Sequence, residues 1–127
     1  MPAFPLVLIV DDDERNRKLA RDVLAAAGCR TLEAATAAEA IALASQYLPD
    51  VILMDLRLPD LDGAEAVGRL KAEPRTAGIP VVALTALRLD GADAWLMQAG
   101  FAGYLRKPVD IDALPEAVRR HTGRGEA

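Results

Sequence analysis

The sequence predicts an α/β fold: a doubly wound parallel sheet of five strands in the order 2-1-3-4-5, with five helices over its two faces. Three observations carry this. The runs Leu6–Val10, Val51–Met54 and Pro80–Leu84 contain no charge, as strands buried on both faces require. Each is followed by a stretch whose apolar residues have helical spacing. Two shorter, more polar strands suit the sheet edges, which leaves the first, third and fourth strands central. That ordering matches the doubly wound 2-1-3-4-5 arrangement, with right-handed crossovers and a switch point between strands one and three.

Taken along the chain, Leu6–Val10 ends at Asp11-Asp12-Asp13. The helix that follows carries Leu19, Val23 and Ala27 on one face, with Ala20 and Leu24 beside them, and Gly28 closes it as a left-handed cap. Residues Cys29 to Glu33 alternate as an edge strand does. Thr36 and Glu39 form a Thr-x-x-Glu capping box ahead of Ile41, Ala44 and Leu48, and Pro49 ends that helix. The third strand runs straight into Asp55 and a Pro/Asp/Gly-rich loop. Asp62 is placed as the N-cap of a helix burying Val67 and Leu70 and stopped at Pro74. Pro80 is tolerated at the first position of the fourth strand, which ends in Thr85-Ala86. A helix from about Asp90 buries Ala92, Leu96 and Ala99, and Gly100 terminates it. A short strand around Gly103 to Leu105 leads to Arg106-Lys107-Pro108. The last helix carries Leu114 and Val118 and sets Arg119, Arg120 and His121 against the negative end of its dipole. Pro115 is comfortable if Asp112 is the N-cap and awkward if Asp110 is, so the start of this helix stays open.

A length of 127 residues suits one domain, with its core over about residues 6–121 and tails at 1–5 and 123–127. The net charge of -4, with no basic run, argues against a nucleic-acid partner. One cysteine, Cys29, excludes an internal disulfide and suits a reducing compartment. No basic signal-peptide start and no apolar stretch of membrane-spanning length are present, so a cytoplasmic protein without membrane insertion is expected. No Gly-x-Gly-x-x-Gly marks a dinucleotide site, and an acidic calcium loop at Asp60–Gly63 would need Leu58 and Arg69 as end ligands.

The polar residues at the strand ends are more informative. Asp11 and Asp12 follow strand one, Asp55 ends strand three, Thr85 ends strand four and Lys107 follows strand five. Alone, each reads as a turn, cap or surface residue. Together they meet on the carboxyl rim beside the switch point, where open α/β sheets bind ligands. Two like charges about 4 Å apart repel by roughly 4 kcal/mol at an effective dielectric near 20. Three carboxylates therefore raise a pKa or recruit a cation, and an all-oxygen site with room for waters suits Mg²⁺. A phosphoryl group on Asp55 would be met by Lys107, the Thr85 hydroxyl and the Ala86 N–H.

Asp11-Asp12, Asp55 followed by Pro59 and Asp62-Gly63, Thr85-Ala86 and Lys107-Pro108 together resemble the receiver domain of bacterial two-component response regulators, from about Leu6 to His121. Residues 80–86 and 100–108 look most like the stand-alone receivers of cell-cycle and sensory phosphorelays. The resemblance implies a flavodoxin-like fold and phosphoryl transfer to Asp55 from the phosphohistidine of a histidine kinase or histidine phosphotransfer protein. It implies Mg²⁺ held by Asp12, Asp55 and the backbone carbonyl of Arg57, with Asp11 acting through water and Asp13 left as an N-cap. Arg57 and Leu87 would occupy positions that tune dephosphorylation, and the Lys107–Pro108 peptide would be cis. The same resemblance implies a regulator, not an enzyme, that catalyses only its own phosphorylation and dephosphorylation. With no output module after His121, the signal would leave through the fourth helix, fifth strand and fifth helix to a downstream protein effector. Thr85 and Tyr104 would be the switch pair.

Trp95, one step off the Leu96 face, reads equally as flank packing or a partner anchor. One rival is that Asp11-x-Asp13 resembles the nucleophile motif of haloacid-dehalogenase-type phosphatases. The chain is short for that fold and has no late acidic pair. An interaction module that is never phosphorylated is opposed by the intact Asp, Thr and Lys set.

Overall fold

The computed structural model describes residues 4–86, 92–107, 109, 110 and 112–122. Strands and helices alternate as β1 (Leu6–Val10), α1 (Glu14–Ala26), β2 (Arg30–Ala34), α2 (Ala37–Tyr47), β3 (Val51–Asp55), α3 (Gly63–Ala72), β4 (Val81–Thr85), α4 (Ala92–Ala99), β5 (Gly103–Arg106) and α5 (Ala113–Thr122). All neighbouring strands pair in parallel, in the order β2-β1-β3-β4-β5. The expected topology is therefore present, and strand order reverses between β1 and β3.

Period-two alternation divides the core between the faces. Val7, Ile9, Leu53 and Leu84 pack with Ala20 and Leu24 of α1 and with Leu114 and Val118 of α5. Leu8, Val10, Ile52 and Met54 pack with Ala40 and Ala44 of α2, Val67 and Leu70 of α3, and Leu96 of α4. Each large aliphatic side chain so buried contributes about 1.5–3 kcal/mol. The charge-free runs of β1, β3 and β4 are the consequence of being covered on both sides.

Strand ends shift by one residue from the sequence expectation: β2 begins at Arg30, β4 at Val81, and β5 extends to Arg106. Pro80 stays just outside the ladder, where its carbonyl accepts from the Ile52 N–H at 3.0 Å. Gly28 and Gly100 close α1 and α4 with positive φ of 93° and 112°. Three residues expected on buried helix faces are exposed. Leu19 is 50% exposed because Ala20 and Leu24 take the centre of the buried stripe and leave it at the margin. Leu48 is 45% exposed because α2 stops at Tyr47 and Leu48 turns into a left-handed conformation ahead of Pro49. Ala27 is likewise exposed, as the C-cap of α1. α5 begins at Ala113, which puts Pro115 in the first turn, where a missing N–H leaves no helical bond unmade. The expected start of the fourth helix at Asp90 and the tail at 123–127 lie outside the described residues.

The caps follow the sequence signals. Asp13 accepts from the Arg15 N–H at 2.8 Å, Asp62 from the Glu65 N–H at 2.8 Å, and Thr36 from the Glu39 N–H at 3.1 Å. The return arm of the capping box reaches one residue further back than usual: Glu39 accepts from the Ala35 N–H at 2.8 Å. Asp60 also reaches α2 from the β3–α3 loop. Its two oxygens accept from the N–H groups of Ala37 and Ala38, at 2.9 and 3.0 Å. These bonds, Ala37 first, hold the Asp60 carboxyl below its ordinary 3.8. A depressed folded pKa means stability that is present above the unfolded value and lost as pH falls through the folded one. Asp60→Asn is therefore expected to melt below the wild type at neutral pH, with the gap narrowing as the pH drops below 3.8. A gap that stays constant into acid would refute the carboxylate's role.

Gly63, the first residue of α3, is required by a close approach. A Cβ there would lie 2.8 Å from Leu56 Cδ2 and 2.9 Å from Leu56 Cα, and a Cα cannot rotate away. The same approach brings the Gly63 N–H to the Leu56 carbonyl at 2.9 Å, closing the loop after Asp55. Gly63→Ala is expected to destabilise the fold by about 1–3 kcal/mol, read by denaturant unfolding. A loss under about 0.5 kcal/mol, the scatter of an ordinary surface substitution, would contradict this packing.

Candidate functional site

Each polar residue singled out in the sequence is delivered by the end of a strand. The Asp11 N–H continues the sheet by donating to the Ala34 carbonyl at 3.1 Å, so its carboxylate stands on the rim. Asp55 is the last residue of β3 and pairs in register with Leu84. Thr85 ends β4, and its carbonyl accepts from the Lys107 N–H at 2.7 Å. That bond holds the base of the Lys107 side chain beside β4.

Asp11, Asp55 and Lys107 then converge. The Lys107 ammonium donates to Asp55 Oδ2 at 3.0 Å and to Asp11 Oδ2 at 3.4 Å. Asp55 Oδ1 accepts from the Arg57 N–H at 3.0 Å. Asp11 Oδ1 accepts from the Asp13 N–H at 2.9 Å, and Oδ2 accepts from Asn16 Nδ2 at 3.3 Å. Asp11 is 2% exposed and Asp55 7%, so both charges are largely removed from water and need these donors. Burial opposes the Lys107 charge, but the hydrogen bond to Asp55 and the charges of Asp11 and Asp55 outweigh it and raise its pKa above 10.5. The stability this pairing contributes is complete below that ordinary value and is lost only as pH climbs through the raised one.

Asp12 is exposed, yet its carboxylate completes a cluster: oxygens of Asp11, Asp12 and Asp55 all lie within 4.8 Å of one another. Ligands 2.0–2.1 Å from an octahedral Mg²⁺ stand about 3 Å apart when adjacent and about 4 Å when opposite. The three carboxylates are therefore close enough to share one such ion, directly or through water. All of its donors would be oxygens, and solvent reaches it from the Asp12 side. The residues present fit the ion.

The carboxylate rim opens into a cavity of about 370 Å³ lined by Asp55, Arg57, Gly63, Thr85, Ala86, Trp95 and Lys107. On the other side of Lys107, Asp11 borders a second groove, of about 450 Å³, with Leu19, Val109 and Leu114. Thr85 shares a sheet face with Ala83, and Ala83 pairs with Tyr104 on β5. Thr85 and Tyr104 thus follow one parity across adjacent strands, and Tyr104 is half-buried against the core on the α2–α4 side. The Lys107–Pro108 peptide and Leu87 lie outside the described residues.

Sequence reasoning missed three supports. Arg17 Nη1 donates to the Asp11 carbonyl at 2.7 Å, and its Nε pairs with Glu33 Oε1 at 3.3 Å, which fixes the start of α1 against β2. Asn16 reaches Asp11 from the first turn of α1. Both lie near Asp13 in sequence, so the cap position already implied that this turn overhangs the rim. Trp95 as a cavity wall had no such signal.

The carboxylate cluster and the Lys107 ammonium at the switch point of a 2-1-3-4-5 sheet suit a site that handles a phosphoryl group. The chain belongs to the response regulator receiver domain family, whose model matches residues 7–119. Among curated relatives it is similar to the polar-differentiation response regulator DivK of Brucella ovis and of Brucella abortus. Each is 37% identical over 117 residues, covering 92% of this chain and 95% of the relative. Among solved structures it is similar to a response regulator of Chloroflexus aurantiacus, with a TM-score of 0.89, 32% identity and coverage of 96% and 100% of the two chains. The receiver domain of sensor histidine kinase PA1611 of Pseudomonas aeruginosa superposes with a TM-score of 0.86 and 34% identity, over 95% and 99% of the chains. That structure has a magnesium ion coordinated in its active-site cleft. This chain is accordingly a receiver-domain phosphoacceptor of two-component signalling.

Proposed function

We propose that Asp55 is the phosphoacceptor, that Asp11, Asp12, Asp55 and the Arg57 carbonyl form the Mg²⁺ site, and that the chain passes its state to a protein effector. The observation that supports this best is the Lys107 ammonium 3.0 Å from a buried Asp55 carboxylate that borders the cavity. In the reaction, a carboxylate oxygen of Asp55 attacks phosphorus, the P–N bond of a phosphohistidine breaks, and the leaving imidazole takes a proton. Lys107 counters the charge that Asp55 carries before transfer and that the phosphoryl oxygens carry after it. Thr85 and Ala86, lining the same cavity, are the remaining donors toward those oxygens. Bound Mg²⁺ would supply charge neutralisation and a template for the phosphoryl oxygens.

The groove beside Asp11 supports a histidine kinase or phosphotransfer protein as the donor's carrier. Leu19, exposed on α1, and Val109 and Leu114 at the other wall give a partner helix an apolar seat next to the acceptor. No described helix is long and apolar enough to cross a membrane. We read the chain as a single cytoplasmic receiver, a regulator without turnover of other substrates and without direct nucleic-acid contact.

Incubation with a small phosphodonor and Mg²⁺ is expected to add one acid-stable, base-labile phosphoryl group per chain. No incorporation under those conditions, or incorporation that survives mild base, would overturn the aspartyl-phosphate reading.

A further inference from the structure

Trp95 is the chain's only tryptophan, and α4 holds it in an unusual setting. Its neighbour Leu96 is 2% exposed and anchors α4 in the core, while Trp95 itself is 47% exposed. The indole is therefore not core packing. It lines the same cavity as Asp55, Thr85 and Lys107, and it is the one aromatic side chain among the described residues that does so. Polar groups at the strand ends can recognise a phosphoryl group, but an indole contributes a flat apolar face, which suits what the phosphoryl group arrives on.

We propose that Trp95 is a specificity-determining wall that favours a phosphoryl donor whose leaving group is a flat heteroaromatic ring. The inference rests on Asp55 being the phosphoacceptor. Phosphoryl transfer runs with the attacking and leaving atoms roughly in line through phosphorus. The Asp55 oxygen forms the new O–P bond from the floor of the cavity. The P–N bond breaks on the far side, its electron pair stays on the ring nitrogen, and that ring takes up a proton as it departs. The leaving ring therefore occupies the cavity side of phosphorus, the side that Trp95 borders. Offset stacking of two aromatic rings adds a few-fold to about tenfold in favour of a ring donor. A donor leaving as ammonia presents no face to the indole and gains nothing from it.

The test compares phosphoimidazole, with a ring leaving group, and phosphoramidate, with ammonia as leaving group. Both are used with Mg²⁺ on the wild type, Trp95→Ala and Trp95→Phe. Trp95→Ala is expected to lower the ratio of the phosphoimidazole rate to the phosphoramidate rate by about three- to tenfold. Trp95→Phe, which keeps an aromatic face, is expected to retain most of that ratio. A purely structural role would slow both donors alike, so an unchanged ratio in Trp95→Ala, with both donors still labelling, overturns the role of Trp95 and leaves the phosphoacceptor reading standing. A wild type labelled by neither donor overturns that reading, and this inference with it.

Discussion

Asp12→Ala is expected to weaken Mg²⁺ binding by about 100-fold or more. Two unit charges about 4 Å apart exchange roughly 4 kcal/mol at an effective dielectric near 20. A directly ligated divalent ion stands closer and carries twice the charge. Asp12 is exposed, so its share is discounted for solvent, and a hundredfold, about 2.7 kcal/mol, is what remains after that discount. Asp11 and Asp55 are already engaged by Lys107, at 3.4 and 3.0 Å, which leaves Asp12 as the carboxylate of the cluster without that cation against it. Mg²⁺ titration of the wild type and the variant reads the change. Unchanged affinity in Asp12→Ala would place the ion elsewhere.

Thr85→Ala is expected to accept a phosphoryl group on Asp55 and yet lose most of the response at the α4–β5–α5 surface. The reason lies in the sheet. Thr85 and Tyr104 share a face on adjacent strands, with Ala83 between them in the register. On this reading a phosphoryl oxygen bound to the Thr85 hydroxyl would draw that side chain toward Asp55, and the half-buried Tyr104 ring would follow into the space it leaves. An equilibrium shifts only by the difference in affinity between its two states, so the hydroxyl bond must be made better in the inward state. Couplings of this kind amount to about 1–3 kcal/mol, or 5- to 150-fold in population. Backbone NMR shifts of β5 and α5, with and without beryllofluoride as a phosphoryl mimic, report the response. Tyr104→Ala should blunt it as well. Full wild-type shifts in both variants would show that this pair is not the relay.

The parts of the molecule that were legible in the sequence are those where one local rule acts alone. A strand covered on both faces tolerates no charge, so β1, β3 and β4 could be read directly from Leu6–Val10, Val51–Met54 and Pro80–Leu84, and their polar ends located the rim. Caps at Asp13, Thr36 and Asp62 were equally plain, because each is a contact within four residues. What sequence spacing could not show is competition between neighbours. Leu19 and Ala20 both fit a helical stripe, and the packing of α1 against the sheet and α5 places Ala20, not Leu19, in the buried cluster. Leu48 fits the α2 stripe by period, but Pro49 ends the helix before Leu48 can join it. Contacts between distant segments were also out of reach. Asp60 caps α2 from 23 and 22 residues away, and Trp95 lines the cavity beside Asp55 only because α4 packs against α3.

The identity of the acceptor is settled by locating the modified residue. Phosphorylated protein, reduced with borohydride and digested, should carry the modification at Asp55, and Asp55→Asn should take up no label from the same donor. The rim would then act as its geometry describes, with Lys107 and the carboxylate cluster serving one nucleophile. Label at the wild-type level in Asp55→Asn, or a modified residue found at Asp11 or Asp12, would contradict it.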